Sequence, residues 1–591
     1  MQLFRFVPLA LLFPLSVAAH AQTPPINVAP LTLPTIAPVL DAPPTAQVYL
    51  STKGAAPIQD GHTMVPATFF SDAVGASVGP VAKDQWRLLY FGKQIDFYPN
   101  QRSVRVDGVP DQMPTPARVY NGELYVPMRA FSEWLGLKWS VARRGTDKTV
   151  FLVQFPAAYI KDVRTEVQKE RVRTVIELSN PTRVAAYLGK TDANFQFAGR
   201  QALGVSGNDK VKDYLVTGTT LNSGSWKAKF GVKLNYAAPL SWFTLGNPSR
   251  IVIDAQRLFE EQATDYEGGL ALTKIRKGTG HGPVQMWAAR FDPKDGWRVR
   301  VEPGGASVLQ RERTSQLAAR HRAVLAVNGG FFAYDGAAVG TVLVNGKWLR
   351  LPWQGRTAVG FDKAGRAKIG SLRTDARAIF GNGTSVIIRD LNGWPDAGRV
   401  TALTRDFGKY YKLSAGEMAL VVENGVVTSK PGGGGANIPA NGFVLVASGG
   451  ARPPLERVAR GTSAKLSIKP INWPTITTAL GGGPRLVRNG QIYVTNEGFR
   501  SDVLSGTGPR TAFGIDKQGR YIILVADGRQ GYYSTGLTLQ ELAATMQKLG
   551  AVDAMNLDGG GSTALVVKGR VINRPSDGME RRVSNALLVT R

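Results

Sequence analysis

The 591-residue sequence contains no cysteine, which excludes a disulfide framework and any thiolate metal site. Its four histidines form no compact group, and no acidic cluster stands out, so spacing alone defines no metal centre. No run reaches the roughly 18 apolar residues that a membrane-spanning helix needs, so no transmembrane segment is expected. Acidic residues are in short supply. Asp plus Glu number 44 against 72 Lys plus Arg, a net charge of +28. Such an excess favours anionic surroundings: nucleic acid, a wall polymer or a phospholipid surface. The basic residues are spread along the chain and no nucleic-acid-binding motif appears. The expected partner is therefore an anionic cell-wall polymer or glycan, with no nucleic acid.

What is present begins with Arg5 and an apolar run over 6–18, closed by Ala19-His20-Ala21. This is the pattern of a secretory signal peptide over 1–21. Export to the periplasm, cell wall or extracellular space is expected, and the lack of cysteine fits a bacterial envelope. Residues 22–45 are proline-rich and read as a semi-rigid linker.

An internal repeat follows. Gly61-His62-Thr63-Met64-Val65-Pro66 and its sequel to Gly75 match Gly122-Glu123-Leu124-Tyr125-Val126-Pro127 and its sequel to Gly136. Each copy reads as a strand, a proline at the helix entry and a helix ending in glycine. Residues 46–155 thus resemble the copper amine oxidase N-terminal-like domain. With no cysteine and His62 alone there, no copper is implied. Residues 156–260 are strand-rich. The run at 175–179 and the closing Arg250-Ile251-Val252-Ile253-Asp254 make this segment similar to an AMIN-type β domain, which implies wall targeting.

From 265 to 591 glycine and short β-branched runs dominate, and helices are expected only at 307–319 and 537–549. Thr538 and Glu541 form a capping box for the second, and Gly550 ends it. A second repeat is visible. Residues 340–346 and 483–490 carry matching Asn-Gly hairpins. Downstream, Arg356-Thr357-Ala358-Val359-Gly360 and Arg510-Thr511-Ala512-Phe513-Gly514 each lead to an Asp-x-x-Gly-Arg turn. Two related halves are expected, with a cleft at their seam. The fold class expected overall is α+β multidomain. The stretch that organises this half is Asn556-Leu557-Asp558-Gly559-Gly560-Gly561-Ser562. It sets a carboxylate at a strand end beside glycines whose amides can converge on an anion. Asn328-Gly329-Gly330 ends another buried strand in the same way. Asp527-Gly528-Arg529 ends a third, and arginine suits phosphate oxygens through its planar fork.

Taken in order, Asn328 to Phe332, Arg356 to Gly360, Gly481 to Val487, Pro509 to Ala512, Asp527 to Arg529 and Asn556 to Ser562 resemble the phosphodiester glycosidase family over most of 280–591. The resemblance implies hydrolysis of the bond between a sugar's anomeric carbon and a phosphate carrying a second substituent. On that basis Asp558, Asp527 and Arg510 are the expected catalytic residues, with the two carboxylates dividing the work. Asn328, Gly329, Arg356, Thr357, Thr511, Arg529, Gly559, Gly560, Gly561 and Ser562 are expected to bind substrate. Glu417 and Glu497 stand in reserve, expected at the surface. A divalent cation bridging phosphate and Asp558 is left open. The alternative is a non-catalytic wall-binding protein that keeps only a hydrolase-like fold.

Overall fold

The computed structural model describes residues 43–353 and 355–591. The expected signal peptide, and all but the last residues of the proline-rich linker, lie outside the described residues. Strand makes up 52% and helix 9%, so the fold is mostly β and the α+β class is corrected. Short β-branched runs between turn residues favour hairpins, and the helices among the described residues are short. The helix expected at 307–319 shrinks to Thr314–Arg320. Ser307 Oγ instead donates to Phe407 O at 2.8 Å and accepts from Leu309 N at 3.2 Å, a local turn that competes with helical bonding.

The first repeat folds as two strand–helix units. His62–Pro66 feeds helix Phe69–Val74, and Glu123–Pro127 feeds helix Met128–Leu135. The two strands pair antiparallel with Val65 opposite Val126. Residues 158–256 fold as two antiparallel-dominated sheets of five and four strands. Asp254, buried on an inner strand, takes Arg173 at 2.7 Å and Arg171 at 3.2 Å. One apolar core runs through both modules, with Phe151, Phe195 and Phe230 near its centre.

The second repeat is plain in the sheets. Lys347–Arg350, Val342–Val344, Ile476–Gly481, Thr357–Asp362 and Ala367–Ser371 form one five-stranded sheet, in that order. Gln491–Ile492, Arg485–Arg488, Ala551–Asn556, Arg510–Asp516 and Tyr521–Ala526 form the same order within an eight-stranded sheet. The turns match atom for atom. Asp362 accepts from Ala364 N, Arg366 N and Arg366 Nε, as Asp516 accepts from Gln518 N, Arg520 N and Arg520 Nε. Between the halves, residues 374–470 form an inserted β unit with its own core around Leu420, Leu445 and Ala402. The halves share a core in which Val359, Phe361 and Leu480 meet Phe513, Val525, Met555 and Leu557.

Helix Leu539–Lys548 starts at the expected capping box: Glu541 N donates to Thr538 Oγ1 at 3.2 Å and Thr538 N to Glu541 Oε2 at 2.9 Å. Leu542, Ala543 and Met546 are buried against Ile522, Leu524 and Ala554. The helix thereby lays strand Ala551–Asn556 into the sheet and delivers Asp558 to its end.

Candidate functional site

Antiparallel pairing gathers three predicted segments at one sheet end. Arg510 begins its strand opposite Ala526, the last residue before Asp527. Ala512 lies opposite Asn556, two residues before Asp558. A third sheet closes over this end through Leu325–Asn328, which pairs with Asn585–Thr590 and Leu565–Val567.

Asn328 is fully buried and its amide stitches the sheets together. Nδ2 donates to Asp558 O at 2.6 Å, while Oδ1 accepts from Thr511 Oγ1 at 2.7 Å and Ala564 N at 3.3 Å. Asp558 N donates to Gly329 O at 3.0 Å. Asp558 is therefore held by its backbone on both sides. Burial pushes its carboxyl up to about 6, against the pull of the Ser562 hydroxyl, the Gly559 N–H and the Arg581 charge.

The glycine amides are used differently from the open cradle expected. Gly559 N donates to Asp558 Oδ1 at 2.9 Å, and Gly560 N to Pro509 O at 2.9 Å. A side chain at Gly561 would strike Arg581 and Asp577, which are themselves ion-paired over it. Ser562 is buried beneath this turn. Two arginines lie near this turn. Arg510 is buried, and its guanidinium donates to two carbonyl oxygens, Leu537 O at 3.0 Å and Gly506 O at 2.5 Å. Burial first, and the neighbouring Arg529 second, pull it down to about 10. Arg529 lies over the glycines: a Cβ on Gly560 would sit 3.2 Å from its Nη1, and one on Gly508 3.4 Å from its Nε. Arg529 is thus close enough to Arg510 to depress its affinity for a proton, and it lies against Gly560, two residues after Asp558.

Asp527 is placed beneath this surface. It is fully buried and accepts from Asn573 Nδ2 at 2.9 Å, Arg574 N at 2.9 Å and Tyr533 OH at 3.3 Å. Burial raises its carboxyl above the usual range despite these bonds. Tyr533, pushed up to about 12 by burial and by Asp527, stays protonated and donates. Asp527 ties the loop at 527–536 to residues 573–574.

The first half presents Arg356 and Thr357 at the equivalent strand start. Thr357 N and Oγ1 each donate to Glu497 at 2.8 Å, and Arg485 N donates to the same carboxylate at 2.8 Å. Arg356 lies over the rings of Phe499 at 4.0 Å and Trp353 at 5.0 Å, and Phe331 packs 5.1 Å from Phe499. Burial lowers its affinity for a proton. Residues 481–483 join this rim to Asp558: Gly483 N donates to Asn556 O at 2.7 Å, and Asn556 Nδ2 to Gly483 O at 2.9 Å. Glu497, expected at the surface, is thus an internal acceptor. Glu417 is buried elsewhere, in the inserted unit, with Tyr411 and Ser414. Glu497, Arg581, Asn573 and Tyr533 lie outside the expected site list. Only Glu497 carried a sequence signal, as a reserve carboxylate. Among the described residues no three His, Asp or Glu side chains converge to hold a metal ion, and no helix is long and apolar enough to cross a membrane.

Comparison with known proteins points the same way. Residues 416–590 match the phosphodiester glycosidase family model, and residues 46–152 the copper amine oxidase N-terminal domain. The first match takes in Arg510, Asp527 and Asp558, and begins inside the inserted unit rather than at 280. The N-acetylglucosamine-1-phosphodiester alpha-N-acetylglucosaminidase of Mus musculus is 31% identical over 182 residues, 29% of this chain and 32% of that protein. The Homo sapiens protein of the same name is 36% identical over 109 residues, 17% of this chain and 21% of its own. The chain therefore spans about a third or less of these relatives' lengths. A hypothetical protein from Synechocystis shares the fold, with a TM-score of 0.52 at 23% identity over 92% of this chain and 96% of that one. Residues 416–590 are thus similar to the phosphodiester glycosidase family, and residues 46–152 to the copper amine oxidase N-terminal domain.

Proposed function

We propose that this protein hydrolyses the glycosidic bond of a sugar-1-phosphodiester. The observation that carries this reading is the gathering of Asp558 and Arg510 at one sheet end, with Arg529 against Gly560 and near enough to Arg510 to lower its affinity for a proton. The arginines hold the phosphate and take up the charge that develops on it as the bond breaks. Phosphate leaves readily without protonation, so the carboxylate's work lies on the sugar side. Asp558, with its affinity for a proton raised into the working range, takes the proton of the attacking water. Asp527 acts from below, fixing the Arg529 loop through Tyr533, Asn573 and Arg574. Asn328 and Gly329 fix Asp558. Arg356, Thr357 and the neighbouring aromatic rings line the far rim, where they meet the sugar. Thr511 and Ser562 support the floor.

In this reading the protein is exported and acts on an envelope glycan. The Arg5-led apolar run and Ala19-His20-Ala21 support export, and the net charge of +28 supports an anionic wall polymer as the partner of the N-terminal modules. The AMIN-like segment over 156–260 belongs to that wall-binding role.

The test is release of free sugar from the methyl diester of N-acetylglucosamine-1-phosphate, with wild type compared with Asp558→Asn and Arg510→Ala. Hydrolysis by wild type and its loss in both variants supports the reading. Unchanged hydrolysis in both variants misplaces the site. Absence of hydrolysis by wild type on a panel of sugar-1-phosphodiesters leaves the non-catalytic wall-binding protein as the account.

A further inference from the structure

The middle module reaches the loop that carries Arg529. Its loop at 209–215 carries Tyr214, whose hydroxyl donates to Gly531 O at 3.3 Å. The Tyr214 ring lies 5.2 Å from that of Tyr532, inclined by 60°. Gly531 and Tyr532 form the tip of the loop that holds Arg529 at its base, so one short segment runs from Arg529 to the module boundary.

Tyr214 is built into this place from both directions. On its own side, Asn235 Nδ2 donates to Tyr214 O at 3.0 Å. The buried Asp213 pairs with Arg257 at 3.2 Å and caps Leu215 N and Val216 N at 2.7 and 3.1 Å. Arg257 in turn donates to Gly280 O at 3.2 Å, tying the module to the strand start beside it. On the other side Gly282, at φ +130°, leaves the notch that the ring fills. A Cβ there would come within 2.5 Å of Tyr214 Cε1 and 2.7 Å of Thr535 Cγ2. Despite this support the neighbouring rings stay open. Tyr532 is 49% and Tyr533 39% exposed, and Arg574 lies 5.3 Å over the Tyr533 ring. An aromatic held in place yet left uncovered offers an apolar face to a ligand whose hydroxyls remain in water. A sugar ring, with C–H groups on its face and hydroxyls at its edge, has that shape.

We propose that Tyr214 and Tyr532 form an aromatic subsite, shared between the middle module and the phosphodiester glycosidase domain, that takes a sugar unit of the group esterified to the far side of the substrate's phosphate. This rests on the reading of Asp558, Arg510 and Arg529 given above. It narrows the substrate class to phosphodiesters whose second substituent is itself a glycan, long enough to pass from Arg529 to Tyr214.

The experiment uses the full chain and two substrates that share N-acetylglucosamine-1-phosphate, one esterified to methanol and one to a chito-oligosaccharide. Wild type is expected to favour the longer substrate. Tyr532→Ala and Tyr214→Ala each lower the long-to-short ratio of kcat/KM by roughly three- to tenfold, through KM. Tyr214→Phe, which keeps the ring and loses only the bond to Gly531, retains the ratio. Equal kcat/KM for the two substrates in wild type, or an equal fall for both in the alanine variants, overturns the subsite. Cleavage of neither substrate overturns the catalytic reading instead. The subsite is then judged by calorimetric binding of the free chito-oligosaccharide: binding abolished by Tyr532→Ala supports it, and binding unaffected by that change, or none in wild type, overturns it.

Discussion

Gly483 occupies in the first half the position that Asp558 occupies in the second. Gly482 N donates to Thr357 O at 2.9 Å, as Leu557 N donates to Thr511 O at 2.8 Å, and Ala358 faces Gly481 as Ala512 faces Asn556. Each half therefore ends the same strand in glycines next to the same Arg-Thr pair. Only the second half places a carboxylate there. In the first half a Cβ on Gly483 would meet Glu497 Oε2 at 2.6 Å, so a carboxylate from another segment fills the space and is spent on internal donors. A duplicated frame has thus been divided into a half that carries its own acid at the strand end and a half with an aromatic, cationic wall.

Replacing Asp558 with asparagine separates activity from stability. Hydrolysis is expected to fall by roughly 10²–10⁴-fold, the range for loss of a general base. In wild type, kcat is expected to rise with pH through about 6 and then level, because the base must be deprotonated. The stability effect has the opposite sense. A carboxyl raised above its unfolded value favours the fold most when protonated, below about 3.8, and that contribution is lost as pH rises through about 6. The neutral amide of Asp558→Asn carries no such penalty, so the variant should be more stable than wild type above pH 6, by up to about 3 kcal/mol and less in proportion to the carboxyl's partial exposure. Thermal melts across pH decide this. A variant that is no more stable at pH 8 contradicts the strained carboxyl.

The nearness of Arg529 to Arg510 makes a second prediction. Inorganic phosphate should raise the melting temperature of wild type in proportion to its binding, with stabilisation growing as the logarithm of concentration. Arg529→Gln removes the charge that depresses Arg510 and should leave the ligand-free protein as stable or slightly more so, while cancelling the phosphate effect. Arg510→Lys should lower kcat by roughly 10²–10³-fold, since an ammonium cannot keep both bonds, to Leu537 O and Gly506 O, that seat this charge. A phosphate shift that persists in Arg529→Gln would place the anion elsewhere.

The parts of this site that are legible in the sequence are those that local chemistry dictates. Asn345-Gly346 and Asn489-Gly490 take left-handed hairpin turns, and Asp362 and Asp516 cap their turns with bonds only two to four residues long. These turns set strand register, and register carries Arg510, Asp527 and Asp558 to one sheet end. What depends on distant segments is not legible. Arg581 folds over Gly561, and Pro509 takes the Gly560 amide that sequence pattern offers to phosphate. Asp527, equal to Asp558 as a strand-end carboxylate in sequence, differs from it only because Asn573, Arg574 and Tyr533 arrive from elsewhere to cover it. The inserted unit at 374–470 hides the equivalence of the halves, because it separates Ala367–Ser371 from Ile476–Gly481 by roughly a hundred residues of chain that the first half does not need for its sheet.

Glu497 is predicted to act on binding rather than turnover. Glu497→Gln leaves one oxygen for three donors and turns an amide N–H₂ toward either Thr357 or Arg485. The cost expected is about 1–3 kcal/mol of stability. Because Arg356 is seated beside this carboxylate, between Phe499 and Trp353, KM should rise while kcat changes little. A fall in kcat with unchanged KM would move Glu497 into the chemical step.

Asp527→Asn tests whether the second carboxylate works from beneath the site. Both its oxygens accept: Oδ1 from Asn573 Nδ2, Oδ2 from Arg574 N and Tyr533 OH. An asparagine there must point an N–H₂ at one of these donors, and the group is fully buried, so no water can intervene. Destabilisation of about 1–3 kcal/mol is expected, concentrated where the 527–536 loop meets residues 573–574. Hydrogen exchange should report it as faster opening at Arg529 and Arg574 than in the Asp558→Asn protein. Activity should fall chiefly through weaker phosphate retention, as a raised KM and a weaker response of the melting temperature to phosphate. If Asp527→Asn instead keeps its stability and loses kcat with an altered pH profile, the carboxylate reaches the reacting atoms and the division of labour between Asp527 and Asp558 must be redrawn.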